Sequence, residues 1–440
     1  MANRIFRPDR RELMTGLAAA MVSPALPSMA SAEARPSLAL QAKADTLALR
    51  PGQPDTPIWS LGTSTPHGPL RFKRGDALEI RLGNDTTAPI TLNWHGIDGV
   101  AMAEPLLAQP ALAPQAKQSL EIPLRHAGTF MCDMRLLGDG EGRPSAARAL
   151  IVGESEAIAV DRDEVLLFED WRLRPDGTAI APGTNPKDAV PVYTINGQRT
   201  LDIPARAHER LRLRLINGFQ RNVIAIKIEN HDVQVMALDG QPSEPFLARN
   251  DALVLAPGGR VDAFIDVALA PGASSSILLH DGTEARPIAR LVGSTEPPAR
   301  AAALAAAAAL RSNGLPDRLD LKSALRVDLP LNGPQTGWVA PATFTASVAP
   351  AFKAKAGRIV VLALTNRADK ATVFHLHGHH FRLLDRLDDG WKPFWLDTLA
   401  VEPGQTQRVA FAADTAGRWL IEAAATDWAA PRLLRWYSVE

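Results

Sequence analysis

The sequence predicts an all-β protein, on three observations. Short runs alternate apolar and polar residues, turn dipeptides recur between them, and no long helical pattern interrupts them. Leu78-Glu79-Ile80-Arg81-Leu82 and Leu211-Arg212-Leu213-Arg214-Leu215 both alternate with period two, which places one face on a core and the other in water. Val223 to Ile228, Ile359 to Leu364 and Arg408 to Phe411 are further short strand candidates. Gly-Asp, Asn-Gly, Asp-Gly and Pro-Gly pairs supply the turns, and many short strands with such spacing read as sandwiches or barrels.

Before the first strand stands a different kind of segment. Arg4, Arg7, Arg10 and Arg11 precede a weakly apolar, alanine-rich stretch from Thr15 to Ser28, and Ala30-Ser31-Ala32 offers small residues for cleavage. Residues 1–32 read as an export signal. The pair Arg10-Arg11 before Glu12-Leu13-Met14 resembles a twin-arginine signal, with the general secretory route as the alternative. The expected location is the periplasm. No later segment has the ~20 apolar residues that cross a bilayer, so no transmembrane segment is expected.

After the signal the strand-rich stretches fall into blocks at 35–155, 156–297 and 331–440. The first and third share a plan: a strand pair, a His-Gly turn, then a late Gly-Thr-Phe or Gly-Arg-Trp strand, as a duplicated unit would. Between the second and third, residues 298–330 carry the alanine run Ala301 to Leu310. Alanine favours helix, and a short helical linker is expected there.

Composition narrows the function. Lys+Arg and Asp+Glu both number 48 among 440 residues, so no net charge draws the chain to nucleic acid, and no phosphate-binding loop is visible. The single cysteine, Cys132, excludes an intramolecular disulfide. It reads as a small core residue.

Asn93-Trp94-His95-Gly96 follows Arg74-Gly75-Asp76, and Ala127-Gly128-Thr129-Phe130 leads a later strand. Asn196-Gly197, Leu215-Ile216-Asn217, Leu238-Asp239-Gly240 and Ala256-Pro257-Gly258-Gly259-Arg260 come next. Phe374-His375-Leu376-His377-Gly378-His379, Asp397-Thr398 and Gly417-Arg418-Trp419 close the series. In this order the motifs resemble those of the multicopper oxidases over nearly the whole chain after the signal. The resemblance implies three cupredoxin-like Greek-key β-sandwich domains.

It also implies where copper would bind. A type 1 copper takes a cysteine thiolate, two histidines and a weak axial methionine. By position these slots are Ala423, Thr372, Trp428 and Leu433, all changed, and the apolar replacements are expected to plug the site. The eight histidine slots of the three-copper cluster fall on Asn93, His95, Asp133, Arg135, His375, His377, Glu422 and Ala424. Only His95, His375 and His377 are still histidine. Asp133 and Glu422 retain oxygen ligands, whereas a guanidinium such as Arg135 has no lone pair to give.

Lost cations leave buried polar groups in need of partners. Arg135 and Glu422 are therefore expected to pair with each other beside His377, and Asp133 to lie near His95. His375, His377 and His379 would share one face of a strand; they read as inherited packing and hydrogen-bonding residues where the first and third domains meet, and the alternative is a residual site with His95 for Zn²⁺ or Cu²⁺. Asp98 and Asp385 read as solvated turn residues, and His67, His126, His208, His231 and His280 as surface or edge residues.

The pattern points to a non-redox binding or scaffold protein without cofactor and with a periplasmic protein partner. It is similar to the copper-free, twin-arginine-exported member of the superfamily that supports bacterial cell division. The alternative is a copper-dependent oxidoreductase keeping a residual metal site. A copper-storage role would need clustered soft ligands, and only Met131 and Met134 lie close together after the signal.

Overall fold

The computed structural model describes residues 36–63, 68–140, 142–332, 336–385 and 390–440. The expected export signal and His67 lie outside them. Residues 35–440 form one compact unit.

Six sheets stack in three pairs. In the first pair, Thr56–Gly62, Ser37–Leu47, Ala77–Asn84 and Lys117–Pro123 face Leu70–Lys73, Arg148–Gly153, Gly128–Asp133 and Asn93–His95. Leu40, Leu78 and Ile80 from one sheet meet Phe130, Cys132 and Leu150 from the other in a single core. The middle pair has six and five strands, and the third has four and five. Each encloses its own apolar cluster. Among the described residues the only helical turns are four of 3-10 type, three residues each.

The all-β expectation therefore holds, but two details are corrected. Ala301 to Leu310 is irregular, not helical. Arg210 Nη2 donates to the carbonyls of Leu304 and Ala305, at 3.3 and 2.9 Å. A helix would direct those carbonyls to amides four residues on. Leu310 is buried beside Met236 and Phe264, and Asn313 bonds Ala127 and Gly240. Tertiary contacts outweigh the propensity of alanine.

The second correction concerns Arg210–Asn217. Leu211, Leu213 and Leu215 enter the middle core as the alternation predicts. The opposite face, expected in water, is buried as well. Arg212 bonds Asp262 at 2.6 Å and Glu154 at 2.7 Å. Arg214 bonds Asp163 at 2.7 Å and reaches Thr129 Oγ1 of the first sandwich at 2.9 Å. Such charges tolerate burial because each is paired.

All three sandwiches meet at Arg260. Its Nη1 and Nη2 donate to Asp397 of the third at 2.9 and 2.6 Å. Its Nε donates to the Thr129 carbonyl of the first at 3.3 Å. Beside it, Gly128 has a φ of 150°, and a Cβ there would lie 2.3 Å from the Gly240 carbonyl oxygen.

Candidate functional site: the junction of the first and third sandwiches

Two ladders carry six of the eight cluster positions, and Arg135 and His377 lie just beyond the strand ends. Asn93–His95 pairs antiparallel with Gly128–Asp133, setting Asn93 opposite Asp133. The chain then turns at Arg135–Leu137. In the third sandwich Thr372–Leu376 pairs with Gly417–Ala425, setting His375 opposite Glu422 and Val373 opposite Ala424. Period-two geometry sends alternate side chains to one face. The faces converge on a small cavity of about 40 Å³ lined by His95, Asp133, Arg135, His375, Glu422 and Ala424. His95 and His375 rings lie 4.8 Å apart, as do those of His375 and His377. The three retained histidines are brought together as expected.

His379 does not join them. The strand stops at Leu376, and Gly378 turns the chain with a φ of 76°. A Cβ at Gly378 would meet the Trp419 ring at 2.1 Å. His379 Nδ1 instead lies 2.8 Å from Tyr437 Oη, against Phe411 and Trp419.

The proposed Arg135–Glu422 pair is replaced by two others. Arg135 Nη2 donates to Glu169 at 2.6 Å, and its other nitrogens donate to the Ser145 and Gly218 carbonyls. Glu422 takes Arg432 as its cation. Register explains the second choice: Arg432 stands opposite Ala424 on the closing hairpin, next to the cavity. Glu422 also accepts from Asn93 Nδ2 and His377 Nε2, both at 2.8 Å. Burial pushes the Glu422 carboxyl up, but the charges of Arg432 and then His377 hold it well below the ordinary range.

His377 has a carboxylate on each ring nitrogen. Glu104 lies 2.8 Å from Nδ1 and Glu422 2.8 Å from Nε2. Burial alone would lower its pKa, yet Glu104 and then Glu422 raise it to about 10. Both nitrogens therefore donate, and no lone pair is left for a metal.

His375 is the opposite case. Thr398 Oγ1 donates to Asp397 at 2.7 Å, so His375 Nδ1, 2.9 Å from Thr398 Oγ1, must donate to that oxygen. Nε2 then carries the lone pair, buried and without a partner among the described residues. Burial drives this ring down to about 4 against the pull of Asp397. His95 Nε2 sits 3.1 Å from Asp133, as expected. Burial raises the Asp133 carboxyl, but the His95 hydrogen bond and charge, with Arg135, bring it below its ordinary value.

At the type 1 positions, Thr372 and Ala423 are buried, and Ala423 stands opposite both Phe374 and Leu433. Trp428 is buried as well. Its Nε1 donates to the Ala181 carbonyl at 3.2 Å, and Arg172 lies 4.9 Å over its ring. The indole is thus engaged by the middle of the chain.

Asp98 and His231, expected at the surface, are also corrected. Asp98 lies 2.6 Å from His380 Nδ1 and 3.7 Å from His126. His231 is buried, with Nδ1 2.8 Å from the Glu229 carbonyl. Asp385 is a half-exposed partner of Lys392, as a turn residue would be.

Family models described as multicopper oxidase match residues 44–133, 162–273 and 318–440. The chain belongs to the multicopper oxidase superfamily. A multicopper oxidase from Pseudomonas thermotolerans is 25% identical with a TM-score of 0.78, over 92% of this chain and 99% of that one. The multicopper oxidase McoA of Aquifex aeolicus shares the fold at 14% identity, with a TM-score of 0.72 over 92% and 96%. Multicopper oxidase MmcO of Mycobacterium tuberculosis is 24% identical over 84% of this chain and 81% of that protein. Laccase-7 of Arabidopsis thaliana is 27% identical over 47% of this chain, and the match spans only 40% of that laccase.

For a member of this superfamily, the chain has an unsuitable donor set for a three-copper cluster. Five of the eight positions are not histidine, His377 is capped on both nitrogens, and the cavity is lined by the guanidinium groups of Arg135 and Arg432. His375, His377 and Glu422 do place ligand atoms within 4.8 Å of one another. For His377 to serve there, it would have to give up a proton that Glu104 and Glu422 hold.

Proposed function

We propose that this superfamily member works without redox copper, as a periplasmic binding or scaffold protein of the cell envelope, exported through the twin-arginine route. The observation that carries this reading is the chain Arg432–Glu422–His377–Glu104. Protein charge fills the slots that metal charge would need, and each charge in this chain has an opposite charge beside it. The type 1 slot at Ala423 has no thiolate, so substrate electrons have no ordinary point of entry. A role in division rests on the likeness to the copper-free member of the superfamily and is the outermost part of the proposal.

A second reading has one observation in its favour, the His375, His377 and Glu422 grouping. It describes a residual single-ion site in a copper-dependent oxidoreductase. One experiment separates the two. The purified protein is given copper, then assayed for bound metal, visible absorption and melting temperature. The scaffold reading expects no retained copper and an unchanged melting temperature, since a tightly bound ion raises it. A stoichiometric copper load with an intense blue band overturns that reading. One colourless ion with a raised melting temperature supports the second.

A further inference from the structure

Outside the site just described, a cleft opens between the first and middle sandwiches. It has a volume of about 290 Å³, roughly ten times the volume of a water molecule in the liquid. Leu47 and Ile58 form one wall, and Val165 and Leu167 of Arg162–Leu173 form another. Apolar walls with a few placed polar groups are the usual makeup of a small-molecule site.

The polar groups sort by sign. Both carboxylates of the cleft are satisfied. Glu169 accepts from Arg135 Nη2 at 2.6 Å and from the Ala147 amide at 2.9 Å. Asp45 accepts from Ser60 Oγ at 2.7 Å and from the Thr46 amide at 2.9 Å. Neither cation forms an ion pair among the described residues. Arg148 Nη2 donates to the Gly68 carbonyl at 2.9 Å. Its Nε is buried with no partner among the described residues, and no carboxylate there forms an ion pair with it. Lys43 is exposed at the rim, likewise without an ion pair among the described residues. A half-buried guanidinium with an unused N–H favours a carboxylate, which accepts charge-assisted hydrogen bonds from it.

We propose that this cleft binds a small organic monoanion: a carboxylate held by Arg148 and Lys43, with an apolar body against Leu47, Ile58, Val165 and Leu167. The site is separate from the former cluster, touching it only through the Arg135–Glu169 pair.

Isothermal titration of the full chain with octanoate tests this, with the neutral octanamide as control. The expected result is one octanoate per chain and at least tenfold weaker binding of the amide. Arg148→Gln and Lys43→Glu should each weaken octanoate at least tenfold, and Ala146→Trp, which fills the cleft, should abolish binding. Lys43 is exposed, so its variant remains informative if Arg148→Gln does not fold. Absence of octanoate binding, equal binding of the amide, or binding unmoved by Lys43→Glu and Ala146→Trp would overturn the proposal.

Discussion

Glu422 holds His377 as an imidazolium: Nε2 donates to Oε1 at 2.8 Å, with both groups buried. Glu104 takes the second ring proton and also accepts from the Leu420 amide at 2.9 Å. The first and third sandwiches are therefore joined through one ring. Removing one partner of a buried ion pair leaves the other charge uncompensated, which costs about 3–5 kcal/mol. His377→Leu is expected to lose stability on that scale in urea unfolding. Glu104→Gln with His377→Gln removes charge from both sides and should lose less than His377→Leu. Equal losses would mean that packing, not charge, sets the cost.

The same histidine shapes the pH profile. His377 rises to about 10 and His380 to about 9 in the folded protein, against an unfolded value of about 6.5. Groups raised on folding stabilise fully below the unfolded value and lose that contribution as pH climbs through 9 and 10. His375 falls to about 4, so its contribution is present above about 6.5 and is lost as pH drops toward 4. Denaturant unfolding should show maximal stability near neutrality, with a decline on each side. His377→Gln should flatten the alkaline limb. A stability still rising toward pH 10 would contradict the clamp.

The strands and the eight slots were legible because each carries a local signal. Alternation marks the strand, and His-Leu-His-Gly or Gly-Arg-Trp marks the slot. The charge partners were not. Glu104 comes from the turn after Ala101–Ala103, Glu169 from a middle strand and Arg432 from the closing hairpin, and none sits at a fixed spacing from a motif. Arg432 alone had a findable signal, since pairing the last two strands sets it opposite Ala424. The alanine run misled because propensity is a per-residue average, while Arg210 and the Leu310 pocket act on particular atoms.

Arg260 supplies a test of how the three sandwiches are held. Its fork on Asp397 and its bonds to the Gly258, Asp239 and Thr129 carbonyls use all three nitrogens. Lysine keeps the charge but cannot reproduce the planar fork. Arg260→Lys is expected to destabilise measurably, and Arg260→Ala by about 3–5 kcal/mol, because Asp397 loses the cation that chiefly holds its carboxyl low. Limited proteolysis should then cut between sandwiches before either variant unfolds globally. Variants as resistant as the parent would show that the junction is held by apolar contact alone.

Cys132 reports on the first core. It is wholly buried beside Phe130 and Leu150, and burial pushes its thiol up to about 12. The thiolate is the reactive form, so a disulfide reagent near pH 8 meets neither an accessible sulfur nor an ionised one. Native protein is expected to leave Cys132 unmodified over hours and to react at once in denaturant. The labelling rate should follow opening of the first sandwich, and so should quicken in His377→Leu, which loosens the junction from the third sandwich's side. Rapid labelling of the native protein would show that this sandwich opens far more readily than its packing implies.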